Sequence, residues 1–98
     1  MAENAAPMTL RVLTPAGIVS ETDCDSAVLT IPDGADGRGG GLVGIRRDHA
    51  PAILALGEGS IRASLGGKPV LNVSVKGGYA SVRDNVITVV TDGAETNG

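Results

Sequence analysis

The stretch Ser60-Ile61-Arg62-Ala63-Ser64-Leu65-Gly66-Gly67-Lys68-Pro69-Val70-Leu71-Asn72-Val73-Ser74-Val75 decides the fold class. Its first half alternates, with Ile61, Ala63 and Leu65 on one face and Arg62 and Ser64 on the other. Its second half does the same, setting Leu71, Val73 and Val75 against Asn72 and Ser74. A period of two is the signature of a half-buried β-strand. Between the halves, Gly66 and Gly67 can take positive φ without a Cβ clash, so the unit reads as a hairpin.

The same pattern extends in both directions. Over residues 8–13, Met8, Leu10 and Val12 alternate with Thr9 and Arg11. Residues 25–31 place Ala27, Leu29 and Ile31 together, and the apolar run at residues 51–56 reads as a buried strand. Residues 78–82 and 86–91 complete the set, joined through Asp84-Asn85, two residue types that tolerate left-handed backbone. Fifteen Gly and five Pro interrupt the chain before a helical period can accumulate. Many short β-branched runs predict an all-β sandwich or barrel. Low complexity is confined to the Gly-rich stretch at residues 34–44, and there is no internal repeat.

Composition limits what such a fold can do. Ninety-eight residues make one domain, here expected over residues 8–95, with residues 1–7 flexible and residues 96–98 frayed. The core must be built from 11 Val, 8 Leu, 6 Ile and 12 Ala, because the chain has no Phe or Trp and only one Tyr. Base-stacking nucleic-acid folds need aromatic platforms and are disfavoured. A net charge of −3 likewise denies the basic excess that a polyanion binder requires. Cys24 is the sole cysteine, so no intrachain disulfide forms. Residues 1–7 lack the basic and apolar regions of a signal peptide, and no apolar run approaches the ~20 residues of a membrane span.

Catalytic chemistry finds no footing. One His and one Cys cannot make a structural zinc site. The Asp33-Gly34-Ala35-Asp36-Gly37 segment hints at a calcium loop, but Gly44 stands where an EF-hand places Glu. Gly39-Gly40-Gly41-Leu42-Val43-Gly44 matches G-x-G-x-x-G by letter, yet a proline-containing turn follows where a phosphate-cradling helix would have to start. The expectation is a flexible loop feeding a strand, with no cofactor. His49 has Asp48 beside it, but neighbours in extended chain point to opposite faces. Asp23 and Asp25 flank Cys24 and disfavour its thiolate. The chain is therefore expected not to be an enzyme on its own.

Four collinear segments resemble a known family. Gly41-Leu42-Val43-Gly44-Ile45 with Asp48-His49-Ala50-Pro51 resembles the G-x-x-G-I and G-H-A-P elements of the F-type ATP synthase epsilon subunit. Leu56-Gly57-Glu58-Gly59-Ser60-Ile61-Arg62 resembles its L-x-P-G-x-I-R. The Gly77-Gly78 segment running into Val86 through Glu95 resembles its V-x-G-G-x-x-x-V and V-T-V-L-A-D-x-A-E, and Leu10 to Pro15 resembles its first strand.

The resemblance implies a flattened β-sandwich of about ten short strands. It also implies a non-catalytic place in the central stalk, linking the gamma subunit to the polar loops of the membrane c-ring and coupling ion translocation to ATP synthesis. Contact with the alpha and beta subunits would be indirect. The location would be peripheral, on the cytoplasmic face of the bacterial plasma membrane, without insertion. By motif, Thr14, Leu42, Arg46, Arg47 and His49 would face the c-ring. A gamma-facing patch would come from the non-core member of paired apolar residues, such as Val70 beside Leu71 or Ile87 beside Val86.

Three departures stand out. The family continues into a C-terminal helical hairpin, which this chain is expected not to carry. Its loop at residues 32–41 is long. Asp48 replaces the glycine before His-Ala-Pro. The other reading open at this point is a free-standing sandwich that binds a peptide or glycan, although Tyr79 alone offers little aromatic stacking surface.

Overall fold

The computed structural model describes residues 7–31 and 41–96. Among them are eight strands: β1 (Met8–Thr14), β2 (Gly17–Cys24), β3 (Ser26–Ile31), β4 (Gly41–Arg46), β5 (Ala52–Leu65), β6 (Lys68–Arg83), β7 (Val86–Val90) and β8 (Ala94–Thr96). They form one hydrogen-bonded path, β2-β1-β7-β6-β5-β3-β4, with β8 on β6. All pairs are antiparallel except β1 with β7.

The path folds over itself because β5 and β6 are too long for one layer. Their ladder runs from Ala52↔Val82 to Leu56↔Gly78, omits Gly57 and Gly77, and resumes at Glu58↔Lys76. Gly77 and Gly78 have φ of 94° and 123° there, a backbone that side chains resist. A Cβ on Gly78 would stand 2.0 Å from the Val90 carbonyl oxygen, so the bend requires glycine. Layer one holds β2, β1, β7, residues 52–56 of β5 and residues 78–83 of β6. Layer two holds β4, β3, the remaining halves of β5 and β6, and β8. Eight elements thus supply ten strand segments, in line with the expected sandwich. The expected strands at residues 51–56 and 60–65 are one strand, as are those at 70–75 and 78–82.

Both layers bury one face. From layer one come Leu10, Val12, Ala80, Val82, Ile87 and Val89; from layer two come Ala27, Leu29, Ile45, Ile61, Ala63, Val73 and Val75. They form a single cluster, but Leu65, expected inward with Ile61 and Ala63, is exposed beyond the register shift at Ala63/Ser64, and the run at residues 51–56, expected as a buried strand, exposes Ile53 and Ala55. Burying each larger aliphatic side chain contributes about 1.5–3 kcal/mol. The aromatic-free core is filled by many small branched side chains.

The turns follow their sequences. Gly66 and Gly67, at φ 62° and 80°, close Leu65↔Lys68 as a two-residue hairpin. Asp84 and Asn85, at φ 52° and 64°, do the same for Arg83↔Val86. Asp48 takes φ 63°, so it adopts the left-handed backbone that the usual glycine would supply.

Several expectations are revised. Gly41 to Gly44 belong to β4, not to a loop, and Gly44 lies in a strand where a phosphate cradle would need a helix start. β2 and β8 were not expected as strands. Thr96 pairs with Val73, so the ordered ladder passes Glu95. The Asp33–Asp36 calcium hint, the glycines before Gly41 and most of both expected flexible ends lie outside the described residues.

Candidate functional site

Because Leu54, Ala80, Val89 and Val12 point into the sandwich, their sequence neighbours Ala55, Tyr79, Val90 and Leu13 point out of layer one. The registers place these outward residues side by side. Ala55 pairs with Tyr79, Tyr79 with Val90, Val90 with Leu13, and Leu13 with Ile18. Five adjacent strands therefore carry one continuous apolar row, about 19 Å long at the usual strand spacing. Tyr79 is 63% exposed, Ile18 61% and Val90 49%. Ile53, 79% exposed, adds to the row at the β5 edge.

The next row is Ile53, Ser81, Thr88, Arg11 and Glu21. There the Arg11 Nε donates to Glu21 Oε2 at 2.6 Å across β1 and β2. A contiguous exposed apolar band beside polar residues is what protein–protein contacts use. Of the pairs expected to supply such a band, Ile87 is buried and Val86 half-buried, while Val70 is exposed as expected but sits on layer two at the irregularity at Ala63/Ser64, away from this row. The band comes instead from Val90 beside Val89, Leu13 beside Val12, and Tyr79 beside Ala80.

The five residues expected to face the c-ring do not share one patch. Thr14 ends β1 opposite Gly17, and its Oγ1 accepts from the Ala16 amide at 3.2 Å. Leu42 is on the outer face of layer two, 71% exposed, bordering Val28, Thr30, Ser60 and Arg62. Arg46, Arg47 and His49 gather at the β4–β5 turn, all exposed. Four residues of strand, about 13 Å, separate Leu42 from Arg46. Thr14 lies some 20 Å along β1 from that turn, because the opposite end of β1 bonds Asn85, which in turn bonds Asp48.

The turn is well defined. The His49 amide donates to Arg46 O at 3.2 Å, and His49 Nδ1 lies 2.8 Å from Ala50 O, so that ring nitrogen carries the proton. The Asp48 amide donates to Asn85 Oδ1 at 2.7 Å, and Asn85 Nδ2 faces Asp48 Oδ1 at 3.4 Å. Asp48 is thus engaged by Asn85 and His49 by a carbonyl, which leaves them uncoupled as an acid–base pair. Burial pushes the Cys24 thiol up, with the Asp25 and Asp23 carboxylates adding to the shift, the reverse of an activated nucleophile. Among the described residues no three His, Cys, Asp or Glu side chains gather as a metal site, and no helix is long and apolar enough to cross a membrane.

The sequence and fold are similar to those of known proteins. The ATP synthase epsilon chain of Desulfitobacterium hafniense is 36% identical over 91 residues, covering 93% of this chain and 63% of its own length. The chloroplast epsilon chain of Emiliania huxleyi is 35% identical, covering 90% of this chain and 62% of its own. The chain therefore spans somewhat under two thirds of these relatives. Among solved structures, a chain of the Euglena gracilis mitochondrial ATP synthase (OSCP/F1/c-ring) superposes with a TM-score of 0.73 at 19% identity, over 94% of this chain and 54% of that one. A chain of the Tetrahymena thermophila central stalk/c-ring assembly gives 0.66 at 15% identity, over 91% and 66%. These two support the fold. Residues 7–97 match the family described as ATP synthase, Delta/Epsilon chain, beta-sandwich domain, and with nearly its whole length matched the chain belongs to that family.

Proposed function

We propose that this chain is a non-catalytic rotor component of an F-type ATP synthase. It would link the gamma subunit to the c-ring and so couple ion translocation to ATP synthesis from a peripheral position at the membrane. The observation that carries this reading is the apolar row Ala55–Tyr79–Val90–Leu13–Ile18 on a sandwich of this family. A rotor must not slip under torque, and an apolar band packed on gamma supplies a seat that salt does not screen.

The ring-facing contacts are assigned to the β4–β5 turn, where Arg46, Arg47 and His49 meet. Thr14 and Leu42 fall outside that footprint. Individual contacts to polar loops are modest, roughly 0.5–1.5 kcal/mol each, so several must act together. Co-purification tests the reading. The chain should retain gamma and the c-ring, and Val90→Asp with Ile18→Asp should release gamma while the isolated chain keeps its β-sheet circular dichroism. Retention of gamma by the folded double variant would remove the assignment.

A further inference from the structure

We propose that Asn85 is the positioning residue of the turn that carries Arg46, Arg47 and His49. Asn85 lies 37 residues from Asp48 in sequence, in a different hairpin, yet its side chain is the partner of the Asp48 amide at 2.7 Å. Its Nδ2 also faces Asp48 Oδ1 at 3.4 Å. Its backbone carbonyl accepts from the Thr9 amide at 2.9 Å. One residue therefore fastens the β4–β5 turn to the β6–β7 turn and to the start of β1. Both ends of the side-chain clasp have left-handed backbone, Asp48 at φ 63° and Asn85 at φ 64°, which aims the two groups at each other.

Core packing does not hold the turn. Arg46, Arg47, Asp48, His49, Ala50 and Pro51 are all exposed, so no core packing fixes their position. β4 ends at Arg46, paired with Ser26, and β5 begins at Ala52, so the ladder brackets residues 47–51 without including them. The clasp thus supplies an anchor where ladder and core do not.

The functional half of this inference rests on the ring-facing assignment above, and the experiment separates the two. In the full chain, Asn85→Gly is compatible with the left-handed backbone and removes the side chain with its amide group. Hydrogen exchange at the Asp48 amide should accelerate about tenfold, while the Thr9 amide, bonded to the backbone carbonyl of residue 85, keeps its rate. Asn85→Asp retains an acceptor for the Asp48 amide but sets a like charge against Asp48 Oδ1, so it should restore protection in part. Unchanged Asp48 exchange in Asn85→Gly overturns the positioning role.

The second readout is the ratio of ATP-driven pumping to ATP hydrolysis in a reconstituted complex. Asn85→Gly should lower it in the same direction as Arg46→Glu with Arg47→Glu, with Asn85→Asp between. If the arginine pair lowers the ratio and Asn85→Gly does not, the turn's position is immaterial and the functional half is overturned. If the arginine pair has no effect, the ring-facing assignment falls, while the exchange rates still decide whether Asn85 positions the turn.

Discussion

The two outer faces of this sandwich differ far more than its two inner faces. Inside, layer one and layer two present the same mixture of Val, Ile, Leu and Ala and merge into one core. Outside, layer one carries the apolar row through Tyr79 and Val90. Layer two carries Ser60 paired with Ser74, Ser74 with Glu95, and Arg62 with Asn72, interrupted by Val28 on β3 and by Leu42 at the β4 edge. A sandwich needs only its inward residues to be apolar. The outward residues are free of that demand, and the apolar row among them is what the proposed gamma contact rests on.

The largest way to break the comparison is to stop the ribbon from folding into two layers. Gly78→Ala would drive a Cβ into the Val90 carbonyl, and neither backbone can move without opening β6 from β7. The expected loss is about 3 kcal/mol or more, read as a fall in the denaturant midpoint. Gly66→Ala is the control: its φ is 62° but nothing lies within 4 Å of the added carbon, so the cost should be near 1 kcal/mol. Equal costs would mean that strain at positive φ, and not the close approach of β7, dominates at the bend.

Next in size is the difference between the faces themselves. Val90→Asp with Ile18→Asp should weaken gamma binding by about 30-fold or more, the scale of losing about 2 kcal/mol at a contact centre. Arg62→Ser on the opposite face should change it less than threefold, because a solvated polar residue contributes little. Titration calorimetry or surface-bound gamma would read both. A reversed order would assign the seat to layer two.

A smaller effect comes from where the layers meet. Cys24 is fully buried at the end of β2, one residue before the chain crosses to β3, and its thiol is pushed up from 9.0 chiefly by burial, then by Asp25 and Asp23. The folded state holds the proton longer than the unfolded chain. Stability is therefore intact below about pH 9 and falls as pH rises from there toward the raised folded value. The limiting slope is about 1.4 kcal/mol per pH unit. Cys24→Ala should flatten that slope above pH 9 in denaturant titrations, while lowering stability at pH 7 through lost packing.

These contrasts also explain what the sequence could disclose. The inner faces were legible because alternation is local: Leu71, Val73 and Val75 announce a buried face without knowing their neighbours. β2 was not, because an edge strand reading Gly-Ile-Val-Ser-Glu-Thr-Asp-Cys is exposed along most of its length and alternates weakly. β4 was hidden by its glycines. β5 and β6 each looked like two strands, because Gly57 and Gly77-Gly78 resemble turns when they are in fact a bend within continuous ladders. The apolar row was invisible for a different reason. Leu13, Ile18, Ala55, Tyr79 and Val90 become neighbours only through four separate registers, and a one-residue slip in any of them would disperse the row. The expected ring-facing residues are spread over the fold for the same cause, since motif order does not say which end of a strand a residue occupies.

The finest test concerns that divided set. Arg46 and Arg47 stand at the β4–β5 turn, beside Asp25, Ser26 and Asp48, and Leu42 stands four residues away on the polar face of layer two. Charge reversal, Arg46→Glu with Arg47→Glu, alters the potential at the turn without touching the core. The effect should be a modest loss, about two- to fivefold in ATP-driven pumping, with soluble-head hydrolysis unchanged, because exposed charges are worth roughly 0–1 kcal/mol each. It should also shrink in high salt, where exposed charges are screened beyond about 8 Å at physiological ionic strength and closer in stronger salt. Leu42→Asp places a charge on the other candidate surface and should leave pumping within experimental error. If Leu42→Asp uncouples the complex and the arginine pair does not, the ring rests on layer two near β4. The polar outer face would then be the second docking surface, set against gamma on the opposite side of the sandwich. A salt-independent loss for the arginine pair would instead point to damage in the Asp48–Asn85 clasp, which hydrogen exchange at the Asp48 amide would reveal.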